Sequence, residues 1–129
     1  MASILRVNTL TDASSGNSTA MSTIFNGTAK VWVNFNGTDT VAIRDDTNAA
    51  SLTDEGTGDY TVNFTSAMTD ANYCTNVSAD SGSKTQSARS PTTHALGTTS
   101  SIRMGVYNNA AGTHQDTAVN NVSVQGDLA

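Results

Sequence analysis

The residues able to do chemistry are few and far apart. His94 and His114 each stand in polar, turn-like surroundings, with no second histidine or cysteine at the spacing of a zinc site, so both read as solvated histidines. Serines are plentiful, yet Gly-x-Ser-x-Gly is missing, and with it the sharp turn that presents a nucleophilic serine. The acidic pairs Asp45-Asp46 and Asp54-Glu55, with Asp59 nearby, carry the oxygen ligands calcium takes. They do not follow EF-hand spacing, and hydrated loop carboxylates are the expectation. Glycoside hydrolysis requires two carboxylates at a set separation in a cleft, for which a chain with 5% aromatics offers little wall. No catalytic, metal or cofactor residue is assigned, and the chain is not expected to be an enzyme. Its single cysteine, Cys74, excludes an intrachain disulfide and is expected as a small buried strand residue.

Trp32 is the residue that breaks this bland account. If Val31, Val33 and Phe35 face a core, the chain's one tryptophan projects the other way, beside Lys30 and Asn34, with Arg44 on the same face across a hairpin. Trp32, Lys30 and Arg44 therefore form the candidate contact. It would meet either another subunit or a glycan, where a large rigid aromatic face is favoured. Cover by the N-terminal arm is the other reading of Trp32.

The elements that must position these residues are strands. Ala29, Val31, Val33 and Phe35 alternate with Lys30, Trp32 and Asn34, and Asn36-Gly37 returns the chain through Val41 and Ile43 as a hairpin. Asn26-Gly27 marks a tight turn just before. Ser51 to Thr53 predicts a short edge segment, and Asp54 to Asp59 a glycine-bearing loop. Tyr60, Val62 and Phe64 line the core face of the next strand. Asn72 to Ser78 is a weaker one, with Tyr73 and Val77 on one side and Cys74 on the other.

Residues 79–93 read as a long exposed connection carrying Lys84, Arg89 and Pro91. Ser101 to Tyr107 restores alternation, with Ile102, Met104 and Val106 inward. Asn108 to Asp116 is a turn. In the last strand, Thr117 to Gln125, the apolar phase slips between Val119 and Val122, which predicts a β-bulge at Asn120-Asn121. Helical periodicity is absent apart from a turn near Ser66 to Asp70.

Together these predict an all-β chain: one antiparallel β-sandwich, jelly-roll-like or Ig-like, of about six to eight short strands. Residues 1–25 form an extended N-terminal arm, with Ile4 to Val7 able to pair as a strand and Asp12 to Ser18 as a connector. Residues 26–129 form the sandwich domain.

Composition narrows the partners. Hydrophobic residues are 36% of 129, so the core is thin and association with identical copies is expected to bury further surface. Six basic residues against eleven acidic, a net charge of −5, leave no basic face for nucleic acid. MASILRVNTL has no secretory pattern and no apolar run is long enough to insert in a membrane, so synthesis in the cytoplasm is expected. The Asn-x-Ser/Thr triplets at Asn17, Asn26, Asn36, Asn63, Asn76 and Asn121 then follow from an Asn- and Thr-rich composition.

The segment KVWVNFNGTDTVAIRDD, continuing into SLTDEGTGDYTVNFTSAM and DANYC, resembles a module of tail-fibre-like and other virion structural proteins of marine and cyanobacterial tailed phages. ILRVNTLTDASSGNST is similar to the segment that often precedes it, and the likeness covers residues 4–74. The chain departs from that pattern at Asp39, where glycine is common, and near Asn48 to Ala50. The resemblance carries over no catalytic residue. It implies a homo-oligomer, commonly a trimer, localised on a virion among other structural proteins. A short tail-fibre or adhesin-like protein, in contact with host surface glycans, is the leading expectation. A capsid decoration protein that cements the head without host recognition is the alternative.

Overall fold

Asp12 makes the first turn. Its carboxylate accepts hydrogen bonds from Ser14 Oγ at 2.9 Å, the Gly16 amide at 3.0 Å and Asn17 Nδ2 at 2.7 Å, while Ser15 takes a left-handed φ of 57°. In the computed structural model, which describes residues 6–80, 86–89 (backbone only) and 97–129, this turn closes a hairpin of β1 (Thr9–Thr11) and β2 (Ser18–Ala20). The hairpin runs directly into a helix, α1 (Met21–Gly27). Sequence periodicity predicts no helix here, because seven residues are too short to display one, and Asn26-Gly27 closes this helix where a tight turn is expected. Of the Ile4 to Val7 patch expected to pair as a strand, Ile4 and Leu5 lie outside the described residues, and Arg6 and Val7 are exposed ahead of the hairpin, in no strand.

Alternation then builds two inner faces. β3 (Val31–Asn36) buries Val31, Val33 and Phe35 and pairs antiparallel with β4 (Ala42–Thr47). Ala29, expected at the head of that face, is exposed. The β3–β4 loop takes its positive φ at Asp39, 55°, and not at Gly37. Asn36 Nδ2 holds the loop by donating to the carbonyls of Thr38 and Thr40, at 2.6 and 3.1 Å. Glycine stands at 37 for lack of room: a Cβ would run into Tyr60 Oη and come within 2.8 Å of Asn120 Nδ2.

Asn48, at φ 61°, turns the chain from β4 into β5 (Ala49–Gly56), an eight-residue edge strand longer than the predicted Ser51 to Thr53. Its single sizeable apolar residue, Leu52, gives the sequence almost no alternation to show. β5 joins β6 (Asp59–Phe64) through Thr57-Gly58, so the expected loop at Asp54 to Asp59 is a tight hairpin with Gly58 at φ 63°.

β6 buries Tyr60, Val62 and Phe64, and after β7 (Cys74–Asp80) and β8 (Gln86–Arg89) comes β9 (Ser101–Asn108), which buries Ile102, Met104 and Val106. β8 interrupts the stretch predicted as one long connection. Lys84, Pro91 and His94 lie outside the described residues, as does the Arg89 side chain. The turn after β9 holds a short pairing strand, β10 (Thr113–His114), and β11 (Val119–Gln125) closes the fold.

From β3 onward the described strands form two antiparallel sheets. One is ordered β4-β3-β11-β7; in the other, β5-β6-β9, both β8 and β10 pair with the far end of β9. Their inner faces meet in one core, where Phe35 and Tyr60 cross the gap edge to face at 5.2 Å between ring centroids. The chain is an all-β sandwich.

Two further expectations are corrected. β11 carries no bulge: its register against β3 and β7 is unbroken, Val119 is exposed, and Asn120 takes the inward place instead. A buried amide is tolerated there because Thr117 Oγ1 donates to its carbonyl oxygen at 2.6 Å and its Nδ2 donates to the Thr117 carbonyl at 2.9 Å. The register breaks lie at Asn34/Phe35 and in the β5–β6 pair. Cys74, expected to be buried, is exposed at the start of β7, because the inward phase of that strand falls on Thr75, Val77 and Ala79.

Candidate functional site

The inward residues of β3, β11 and β7 fix what the outer face of their sheet carries. Trp32 lies opposite Ser123, and Ser123 opposite Asn76; one row along, Asn34, Asn121 and Ser78 are matched in the same way. The second row is joined by hydrogen bonds, Asn34 Nδ2 to Asn121 Oδ1 at 2.6 Å and Asn121 Nδ2 to Ser78 Oγ at 3.2 Å. Gln125 links the first, donating to Ser123 Oγ at 3.0 Å and accepting from Asn76 Nδ2 at 3.1 Å. Each strand thus contributes neutral amides or hydroxyls, and the ladder between them holds those side chains in place.

Trp32 stands over this ladder with 37% of its surface exposed. Its indole N–H has no hydrogen-bond partner among the described residues. Trp32, Asn76, Ser78, Asn121 and Ser123 line a shallow cavity of about 260 Å³, also bounded by Val33, Val77 and Val122. The side chains of these valines turn toward the core, so it is their backbone that floors it.

The other two residues predicted for this contact do not join it. Lys30 is buried: its ammonium group lies 3.7 Å over the Phe25 ring, donates to the Phe25 carbonyl, and donates to Thr28 Oγ1 at 2.9 Å. It ties α1 to the head of β3. Arg44 sits in the β3–β4 irregularity, where its guanidinium donates to the Phe35 carbonyl at 3.2 Å. Thr47, not Arg44, is the β4 neighbour of Trp32, and Asp45 is that of Asn34. With residues 6–25 of the arm in place, Trp32 is still 37% exposed.

Sequence reasoning singles out Trp32 as an outward residue of β3 but not its neighbours Asn76, Ser78, Asn121 and Ser123. Each belongs to the polar half of an alternating strand, a visible signal. That β11 runs between β3 and β7 is not visible in any local pattern.

The remaining polar clusters are structural. Tyr60 Oη lies 2.8 Å from both the Gly37 carbonyl and Asp116 Oδ1, and the Gly58 amide donates to the same carboxylate oxygen at 2.6 Å. Burial, reinforced by the hydrogen bond and charge of Asp116, pushes the Tyr60 phenol well above its ordinary range. Arg103 forms a two-pronged ion pair with Asp59, Nε to Oδ1 at 2.7 Å. Asp54, Glu55 and Asp46 accept hydrogen bonds from the Gly56 amide, Thr61 Oγ1 and the Ala49 amide. His114 is exposed, stacked edge to face on Tyr107. Among the described residues no group of histidine, cysteine and carboxylates could hold a metal ion. No family model, no curated protein and no solved structure matches the chain.

Proposed function

We propose that this chain is a structural component of a phage particle, a short tail-fibre or adhesin-like protein assembled as a homo-oligomer with its arm as anchor and its sandwich outward. The arm is the observation that carries this reading. Val7, Leu10 and Phe25 are 37%, 45% and 48% exposed, and β1, β2 and α1 pack chiefly on one another. A hairpin of three-residue strands and a helix of seven residues are too short to be stable alone. Docking against another chain supplies the burial they lack. The thin core and the resemblance over residues 4–74 support the same reading.

Light scattering on the full chain tests it, with a homo-oligomer, a trimer first, as the expected mass. A monodisperse monomer at high micromolar concentration overturns it. The same arm also suits a decoration protein that clamps neighbouring shell subunits. Imaging of particles separates the two, since a cement protein coats the head and a fibre occupies the tail.

A further inference from the structure

We propose that the outer face around Trp32 is a subsite for one ring of a neutral sugar. In this arrangement the apolar face of a pyranose stacks on the indole, and its hydroxyls meet Ser123, Asn76, Asn121 and Ser78.

Four observations converge on that ligand. Trp32 keeps 37% of its surface exposed, and the apolar C–H face of a sugar packs on an exposed indole. The lining is neutral, so it exchanges hydrogen bonds with hydroxyls, which both donate and accept, without the desolvation cost of a charge. The ladder of amides and hydroxyls is already held by its own hydrogen bonds, which lowers the ordering entropy lost on binding. Asp45, exposed beside Asn34, disfavours sialic acids, uronic acids and phosphates.

Size sets the limit. About 260 Å³ is below the range of drug-sized pockets and takes a single ring, not an extended peptide. A subunit contact fits the face less well, since buried interface centres are depleted in serine and half of the residues lining this face are serine and asparagine. One ring on an open face binds weakly, so useful affinity comes from several copies engaging a glycan-covered surface together. For that avidity alone the inference rests on the oligomeric particle reading; the chemistry of the subsite does not.

Because the chain has one tryptophan, emission excited at wavelengths that its three tyrosines do not absorb reports on Trp32 alone. The full chain is titrated with the methyl glycosides of glucose, galactose, mannose and N-acetylglucosamine, and with sorbitol as an acyclic polyol. The expected result is a saturable emission change with at least one glycoside, with a Kd on the order of millimolar, and none with sorbitol. Asn76→Ala combined with Ser123→Ala weakens that binding at least several-fold while leaving the far-ultraviolet circular dichroism unchanged.

No saturable response to any glycoside overturns the proposal, as does an equal response to sorbitol. An emission maximum that shifts to the red on dilution of the protein overturns it too, because a second copy then covers Trp32. Light scattering on the same samples keeps the two readings apart. A monomer that binds sugar refutes the particle reading and leaves the subsite standing, and an oligomer that binds none does the reverse.

Discussion

Gly37 shows how tightly single residues are placed. With Tyr60 Oη and Asn120 Nδ2 where a Cβ would sit, Gly37→Ala displaces two buried hydrogen-bonded groups and is expected to lower stability by about 2–3 kcal/mol in urea denaturation. Gly27→Ala meets nothing within 4 Å and should change stability by less than about 1 kcal/mol. Asp39 is the opposite case: a side chain held at φ 55°, where glycine has no steric penalty, so Asp39→Gly should raise stability by about 0.5 kcal/mol. Tyr60 adds a dependence on alkali. Its phenol holds its proton more tightly in the fold than the ordinary value of 10 allows, first through burial and then through Asp116. The stability this contributes is therefore whole below about pH 10 and is lost as pH rises beyond it, where the unfolded chain releases the proton and the folded one does not. Phenolate absorbance should show this group ionising only as the sheet signal collapses, whereas Tyr60→Phe removes that late step.

At the scale of elements, the β1–β2 hairpin depends on one carboxylate. Hydrogen bonds from Asn17 and then Ser14 to Asp12 hold its pKa below the ordinary value of 3.8. A depressed pKa contributes stability above about pH 4 that disappears as pH falls through the folded value. The protection of the Gly16 amide, its exchange rate relative to that of an unstructured peptide at the same pH, should therefore fall in acid, while protection in β3 and β6 does not. Asp12→Asn should give the lowered protection already at neutral pH. The strands with strict alternation, β3, β6 and β9, were legible in the sequence because each buries every second residue against the opposite sheet. β5 was only partly legible, since an edge strand with Leu52 as its one sizeable apolar residue has no pattern to read. β11 was misread at its start: an exposed Val119 and a buried Asn120 invert the rule that apolar residues face inward, and the partner that permits it, Thr117, is recognisable only once the fold is known. The same holds for the contact face. Trp32 was readable as an outward residue of β3, whereas the capture of Lys30 by Phe25 depends on a helix that sequence periodicity does not reveal.

For the whole molecule, the arm and the sandwich make different demands. Among the described residues the buried apolar core lies in the sandwich, from Val31 to Val124, with none of it in residues 6–27. Removal of residues 1–27 should leave the sheets intact, with cooperative thermal unfolding and a melting temperature within a few degrees of the full chain, since among the described residues the hydrogen bonds lost from the domain are those of Thr28 and Lys30 to Ile24 and Phe25. If the arm docks on neighbouring copies, the same truncation converts the oligomer to a monomer in light scattering, and a triple substitution of Val7, Leu10 and Phe25 to serine does so without shortening the chain. The two halves of the outcome are separable. A truncated chain that stays oligomeric places the subunit contact on the sandwich, with the Trp32 face and the β5 edge as the surfaces to test. A truncated chain that fails to fold would mean that the arm completes the domain, and the exposed Leu10 and Phe25 would then need a structural account within a single chain.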